Sequence, residues 1–286
     1  MYVMSYFKTS AEALHLAISD DGFTWTPLNK GEAMLQSIVS AKSIRDPFII
    51  QSKNGRFELL WTDDLVSKYL VHCYSDDLLN WSQQKAVPVM VDIPTTTNTW
   101  APEAFYDREE QLYRIIWAST TREGAEPAKD DRIWSCTTRD FETFSKSSLF
   151  FDPGYRCIDA TVGYLNGEYL MAFKDARGTK RLDTPYKRIR ICTSRRGCGP
   201  FENISDTLNT PPNVEGPTLF RRNDQWIMFY DFYMDDDVYM GSASKDGRNW
   251  HDITKQVTFP PKTRHCTVIE IDDAIGKKLR SKIQAF

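Results

Sequence analysis

Asp46, Glu103, Asp159 and Glu215 each stand where a polar stretch gives way to an apolar run, in "SIRDPFIIQS", "NTWAPEAFYD", "RCIDATVGYL" and "NVEGPTLFRR". A carboxylate at the lip of a buried strand needs a reason, because burying an unpaired charge is costly. Carboxyl groups gathered at one place have an evident use. If their surroundings split them into a protonated and an ionised member, they can act together as general acid and general base. Taken singly, each has a plainer reading. Asp46 before Pro47 is ordinary turn chemistry, and so is Glu215 before Gly216-Pro217. Asp159 is harder to dismiss, since Cys157, Ile158, Ala160 and Val162 flank it and it needs a partner. What matters is whether the chain brings these acids together.

The elements that would do so come in copies. "HLAISDDGFTWTPL", "LVHCYSDDLLNWSQQ", "RIWSCTTRDFETFSKS", "RIRICTSRRGCGPFENI" and "YMGSASKDGRNWHDI" share one plan: alternating apolar residues, Ser or Thr, a polar turn, an aromatic and a short polar strand. Their spacing, roughly 50 to 63 residues, suits a four-stranded unit with its loops. "DPFIIQS", "RFELLWT", "YLVHCYS" and "WSQQKAV" show the strands of one unit, and Asp-Gly, Asn-Gly or Asp-rich turns separate them. Helix-length periodicity is nearly absent; "SAEALHLA" is tempting, but its neighbours are strand-like. The pattern predicts an all-β fold, a five-bladed β-propeller, because radial closure covers both edges and apolar faces. The chain begins inside a unit, at "YVMSYFK", and the missing first strand appears in "RHCTVIEID". The C-terminal strand should therefore complete the N-terminal blade and close the ring, with residues 1–286 as a single domain. Innermost strands would open at Asp46, near Glu103, at Asp159, at Glu215 and at His265, all at one mouth of the central channel.

Composition narrows the partners. The 286 residues suffice for a sizeable core, and the 13% aromatic content favours packing over sugar-stacking surfaces. A net charge of -3 with both signs interspersed gives no basic stripe, so nucleic acid is not expected as a partner. No apolar run approaches the roughly 18 to 20 residues of a membrane span, and no membrane partner is expected. "MYVMSYFKTSAEALH" lacks the plan of a signal peptide, which points to the cytoplasm, or to secretion if a leader has been removed. The six cysteines show no CxxC pairing or metal-finger spacing and read as free, buried thiols; only Cys192 and Cys198 are close enough in sequence to suggest a bridge. "SDDGFTW" and "SKDGRNW" resemble the Asp-box turns of sialidases, but Ser and Asp satisfying turn amides explains them. A sialidase would also need more blades and an arginine triad.

With "RDPFI", "WAPEAF", "IDATV", "EGPTLF" and "RHCTV" in order, one per blade, the chain resembles glycoside hydrolase family 43, the five-bladed propeller hydrolases, over essentially its whole length. The resemblance implies inverting hydrolysis of pentose-type or galactose-type glycosidic bonds. It implies Asp46 as general base, Asp159 as the acid that tunes pKa and orients the site, and Glu215 as general acid. It also implies His265 as an axial histidine near a structural calcium or sodium ion at the channel centre, with no cofactor required for the chemistry. Arg45 before Asp46 and Ala160-Thr161 after Asp159 depart from the commoner motifs. Inversion needs two carboxyls roughly 6.5 to 9.5 Å apart, one protonated and one ionised. Asp159 near Glu215 is expected to raise the pKa of Glu215. Trp61 and Trp100 are candidates for stacking on a sugar face, and Glu103, Arg177 and Arg264 for bonding its hydroxyls; core packing and structural ion pairs are their alternatives. The expected partner is an oligosaccharide. The expected activity is exo-acting removal of terminal pentose, of α-L-arabinofuranosidase or β-xylosidase type, from plant-type oligo- or polysaccharides. A galactofuranosidase or other galactose-type glycosidase, a glycoside phosphorylase and a non-catalytic carbohydrate-binding propeller are the alternatives.

Overall fold

Short apolar runs bounded by Gly, Asn and Asp turns fold into antiparallel strands in the computed structural model, which describes residues 1–121, 130–165, 167–206 and 210–284. In chain order the strands are β1 (Tyr2–Lys8), β2 (Ala11–Ser19), β3 (Thr26–Pro27), β4 (Arg45–Gln51), β5 (Phe57–Thr62), β6 (Leu70–Ser75), β7 (Lys85–Val87), β8 (Trp100–Asp107), β9 (Leu112–Thr120) and β10 (Asp131–Thr138). They continue with β11 (Ser148–Phe151), β12 (Cys157–Leu165), β13 (Glu168–Asp175), β14 (Ile189–Ser194), β15 (Val214–Arg222), β16 (Gln225–Phe232), β17 (Tyr239–Ser244), β18 (His251–Asp252) and β19 (Arg264–Glu270). They form five sheets: β19-β1-β2-β3, β4-β5-β6-β7, β8-β9-β10-β11, β12-β13-β14 and β15-β16-β17-β18.

Each innermost strand touches the next around the ring, and β19 touches β4, so the five blades close into a propeller. Closure runs as the register demands. Tyr2 pairs with Glu270 and Val3 with Ile269, so the C-terminal strand supplies the innermost strand of the N-terminal blade. After its first residue, "SAEALHLA" is strand, within β2. A C-terminal helix, α1 (Asp273–Gln284), lies outside the sequence expectation. Its Ile275 and Leu279, one turn apart, pack on the core that holds Val3, Leu14 and Ile49, which is the usual way an apolar stripe stabilises a short helix.

The turns behave as their chemistry directs. Asp21 Oδ1 accepts from the Phe23 and Thr24 amides at 2.8 and 2.7 Å, and Asp246 Oδ1 accepts from Arg248 and Asn249 at 2.8 Å each. Asp77 and Asp140 repeat the arrangement in their own blades. All six cysteines are free, so Cys192 and Cys198 form no bridge. Among the described residues no helix is long and apolar enough to cross a membrane.

One feature of the inner strands matters for the site. Asp46, Ala101, Asp159, Gly216 and His265 all have φ between 38° and 58°, in the left-handed region. Each sits in a β-bulge, where the pairing with the neighbouring strand slips.

Candidate active site

The bulges define equivalent positions. Asp46, Ala101, Asp159, Gly216 and His265 occupy the same slot on five blades. Three of the expected residues therefore share a register, as the sequence pattern suggested. Glu215 stands one residue before its bulge, level with Arg45, Trp100, Ile158 and Arg264, and Glu103 stands two residues after its own. The acids are staggered in depth. Glu103 is buried down the channel, where Thr161 of the next blade hydrogen-bonds it.

Asp46 is held ionised by a directed chain of donors. The Ala101 amide donates to Thr62 Oγ1 at 2.7 Å, which leaves the Thr62 hydroxyl to donate to Asp46 Oδ2 at 2.7 Å. His265 Nδ1 lies 3.1 Å from Asp46 Oδ1. Burial works to raise the carboxyl pKa, but the His265 charge and hydrogen bond outweigh it and bring Asp46 to about 2. His265 responds in the opposite sense. Burial alone would lower it, yet Asp46, and behind it Asp159 and Asp231, lift it to about 10, so this imidazole is the cation that faces Asp46.

The Gly216 amide donates to Asp159 Oδ2 at 3.1 Å. A Cβ on Gly216 would stand 2.9 Å from His265 Cγ, so the absence of a side chain lets the backbone reach both residues. Burial is the main force on Asp159 and pushes it up to about 6, with Glu215 adding to the rise and His265 opposing it. Glu215 itself moves the other way. Lys174 Nζ is 2.6 Å from Oε2 and Arg264 NH2 is 3.1 Å from Oε1; together they outweigh burial and lower its pKa. The sequence-based expectation that Asp159 would raise Glu215 is thus corrected: two cations in direct contact decide the outcome at Glu215, and the mutual repulsion appears at Asp159. Burial also pushes Asp231 up to about 6 and Glu103 up to about 8.

Arg264 belongs to the site, reaching Glu215, Asp231 and Asp236 with one guanidinium. Trp100 opens β8 at the mouth, with Nε1 donating to Leu65 O at 3.0 Å, and its ring is half-buried. Two candidates lie elsewhere. Trp61 is 0% exposed and packs in the core with Leu59 and Val71. Strand alternation explains this, because its neighbour Thr62 takes the place beside Asp46 and Trp61 must face the other way. Arg177 is locked to Asp175, with Nε at 3.0 Å and NH2 at 2.7 Å, and lies 3.7 Å from the Tyr155 ring. It touches none of Asp46, Asp159 or Glu215.

Sequence reasoning missed the second ring of the site. Thr62, Lys174 and Asp231 pair across the sheet with Arg45, Ile158 and Glu215, at the ends of the second strands. The available signal was a polar residue closing an apolar strand, in "LLWTDD", "MAFKDA" and "MFYDF".

The donor set does not fit a directly ligated metal ion. His265 is ion-paired to Asp46 and cationic, and among the described residues no group of three His, Cys, Asp or Glu side chains converges to hold a cation. Two clefts of about 420 and 430 Å³ border the rim, beside Tyr69 and Phe259, and contain none of the four acids.

The glycosyl hydrolase 43-related family profile, described as a "Probable glycosyl hydrolase domain", matches residues 1–275. The chain is 28% identical over 186 residues to an α-L-arabinofuranosidase of Bifidobacterium longum subsp. longum, a match over 56% of this chain and 18% of that one, so the chain spans about a fifth of that relative. Among solved structures, a glycoside hydrolase family 43 arabinoxylan arabinofuranohydrolase from Bacillus subtilis superimposes with a TM-score of 0.59 at 16% identity, covering 80% of this chain and 55% of that one. An α-L-arabinofuranosidase from Lactobacillus brevis gives 0.58 at 16% identity, covering 73% and 72%. At these identities the superpositions establish the fold.

Proposed function

Since the chain belongs to the glycosyl hydrolase 43-related family, we propose that it is an inverting exo-glycosidase that releases a terminal pentose, of the α-L-arabinofuranosyl type, from an oligosaccharide. The observation that carries the reading is the pair of opposed carboxyl environments at one channel mouth. Asp46 is kept ionised by His265 and Thr62, and across the mouth Asp159 and Glu215 are coupled through the Gly216 amide and their charges. In this reading Asp46 takes a proton from water as the water attacks the anomeric carbon. Glu215 hands a proton to the departing oxygen, and Asp159 sets how firmly that proton is held. Asp46 needs no rearrangement, because both oxygens already accept hydrogen bonds that favour its charged form. Glu215 starts from an ion pair with Lys174, so it must acquire its proton as that contact loosens.

The pentose preference rests on the arabinofuranosidase relative and is the finer part of the proposal. A panel of aryl α-L-arabinofuranosides, β-xylosides and galactofuranosides tests it, with the first anomer of the released sugar identified by NMR. Release of the arabinose β-anomer from the first substrate is the expected result. Retention of configuration, or turnover confined to the galactofuranoside, would overturn the corresponding half of the reading.

A further inference from the structure

One buried cation beside the site has no partner of opposite sign. Lys187 is 8% exposed, and its ammonium donates to the Ala176 carbonyl at 2.7 Å; among the described residues no carboxylate pairs with it. An uncompensated ammonium in such a place is costly unless something answers its charge. The acids whose fields reach it are already committed. Glu215 is held by Lys174 and Arg264, and Asp175 by Arg177 and Arg190. Burial, with Lys174 and Arg156 as neighbouring charges, brings Lys187 down to about 8.

Backbone hydrogen bonds fix this cluster against the catalytic rim. Ala176 N donates to Arg156 O at 3.0 Å, Lys187 N to Asp175 O at 3.0 Å, and Val214 N to Lys187 O at 3.1 Å. Arg156, Ala176 and Lys187 therefore lie side by side across the top of the β12-β13-β14 sheet, and Lys187 abuts the strand that presents Glu215. Arg156 gives its Nε to buried Asp131 at 2.6 Å, and no hydrogen bond runs from its two terminal nitrogens to a described residue. Tyr233 adds a wall, with Lys174 at 4.2 Å and Lys180 at 5.3 Å from its ring. The whole chain carries -3, so this positive shelf is a local arrangement and not a consequence of composition.

We propose that Arg156, Lys174 and Lys187 form an anion subsite beside Glu215, which receives a carboxylate or phosphate group carried by the sugar on the leaving-group side of the cleaved bond. The position relative to the cleaved bond rests on Glu215 being the proton donor, as proposed above; the anion site itself does not. A neutral sugar would leave the Lys187 charge unanswered, whereas a uronate or a sugar phosphate would meet charged donors from β13 and from the segments that lead into β12 and β14. The geometry also links binding to catalysis. An anion on the shelf would share Lys174 with Glu215, and the weaker hold and added negative charge would both favour protonation of Glu215.

The experiment is calorimetric titration at pH 6, where Lys187 is charged, with D-glucuronate, inorganic phosphate and D-glucose as probes. Wild type is compared with Lys187→Gln and Arg156→Gln, each checked for folding by circular dichroism. The expected result is binding of at least one anion, no measurable binding of glucose, and affinity about tenfold weaker in either folded variant, the scale of one lost charged contact. Glucuronate alone would identify a carboxylate ligand, phosphate alone a phosphate ligand, and both a site that reads charge. Absence of binding by both anions, or wild-type affinity in both folded variants, would overturn the proposal. No turnover is needed, so anion binding without aryl glycoside hydrolysis would remove the hydrolase reading and leave the subsite standing.

Discussion

Replacing Lys174 by Met tests how the proton donor is controlled. The ammonium lies 2.6 Å from Glu215 Oε2 and is itself buried, and Met preserves most of the stem. An opposite charge at this range lowers a carboxyl pKa by about 1 to 3. Arg264 remains 3.1 Å from the other oxygen, so the lower end of that range applies. Lys174 also lowers Asp159, so both members of the pair shift upward when it is removed. In the wild type the pair gives up its proton near pH 6, where Asp159 titrates, and kcat/KM should fall as pH rises past that point. In Lys174→Met the falling limb should move up by about one pH unit. The acid side should not move, because His265, Arg45 and Thr62 hold Asp46 at about 2. The assay is the pH profile of kcat/KM on a neutral aryl α-L-arabinofuranoside, with stability followed by urea unfolding. Breaking a fully buried pair costs about 3 to 5 kcal/mol, and here the loss should be nearer 1 to 2 kcal/mol because Glu215 keeps Arg264. An alkaline limb that stays in place, or moves down, would refute the assignment of that limb to the Asp159–Glu215 pair. A displaced acid limb would instead show that Glu215 works ionised.

Other outcomes follow from the same geometry. Asp46→Asn should reduce kcat/KM by about 10² to 10⁴ in steady-state assays, and near wild-type turnover would remove Asp46 as base. Glu215→Gln should be slow on ordinary glycosides and recover on dinitrophenyl glycosides, whose leaving group needs little protonation; equal loss on both would argue against a proton donor. Gly216→Ala places a methyl 2.9 Å from His265 Cγ at φ 58°, and urea unfolding should show a loss of about 2 kcal/mol, with activity falling as His265 is displaced. Dialysis against EDTA should leave the initial rate unchanged, since among the described residues no donor set converges on a cation; a rate restored only by calcium would contradict this.

The blades were legible because alternation, Asp-rich turns and a near-constant repeat are set locally, and each turn's Asp meets its own backbone amides. Asp46, Asp159 and His265 were legible for the same reason: each sits two or three residues before a recognisable apolar run. The staggering of Glu215 and Glu103 was not, because it depends on where each bulge falls, and a bulge is one inserted residue that motif alignment absorbs without trace. Trp61 was placed on the wrong face by a single residue of strand phase. Lys174, Asp231 and Thr62 come from second strands, where pairing sets them level with Ile158, Glu215 and Arg45, and Lys174 meets Glu215 across the gap between two blades. The direction of the Glu215 shift follows from Lys174, so missing one meant missing the other.

The bulges explain how one ring can hold so many charges. In a regular strand consecutive side chains point to opposite faces, so each blade would offer the mouth one residue. A left-handed residue at the lip breaks that alternation: Arg264 reaches Glu215 while the adjacent His265 reaches Asp46. At the next blade Glu215 faces Lys174 while the adjacent Gly216 amide faces Asp159. Non-glycine residues at such φ cost of order 1 to 3 kcal/mol each, and Asp46, Ala101, Asp159 and His265 all adopt it. Packing alone would not call for that strain at the same place in four of five blades, with a glycine in the fifth. It does bring five carboxyl groups, Asp46, Glu103, Asp159, Glu215 and Asp231, within reach of three cations, His265, Lys174 and Arg264. Burial raises Glu103, Asp159 and Asp231, so the channel mouth retains protons at pH values where free carboxyls have none. A retained proton beside a permanently ionised Asp46 is what acid–base cleavage requires, and the strained lip is the structural means of keeping it there.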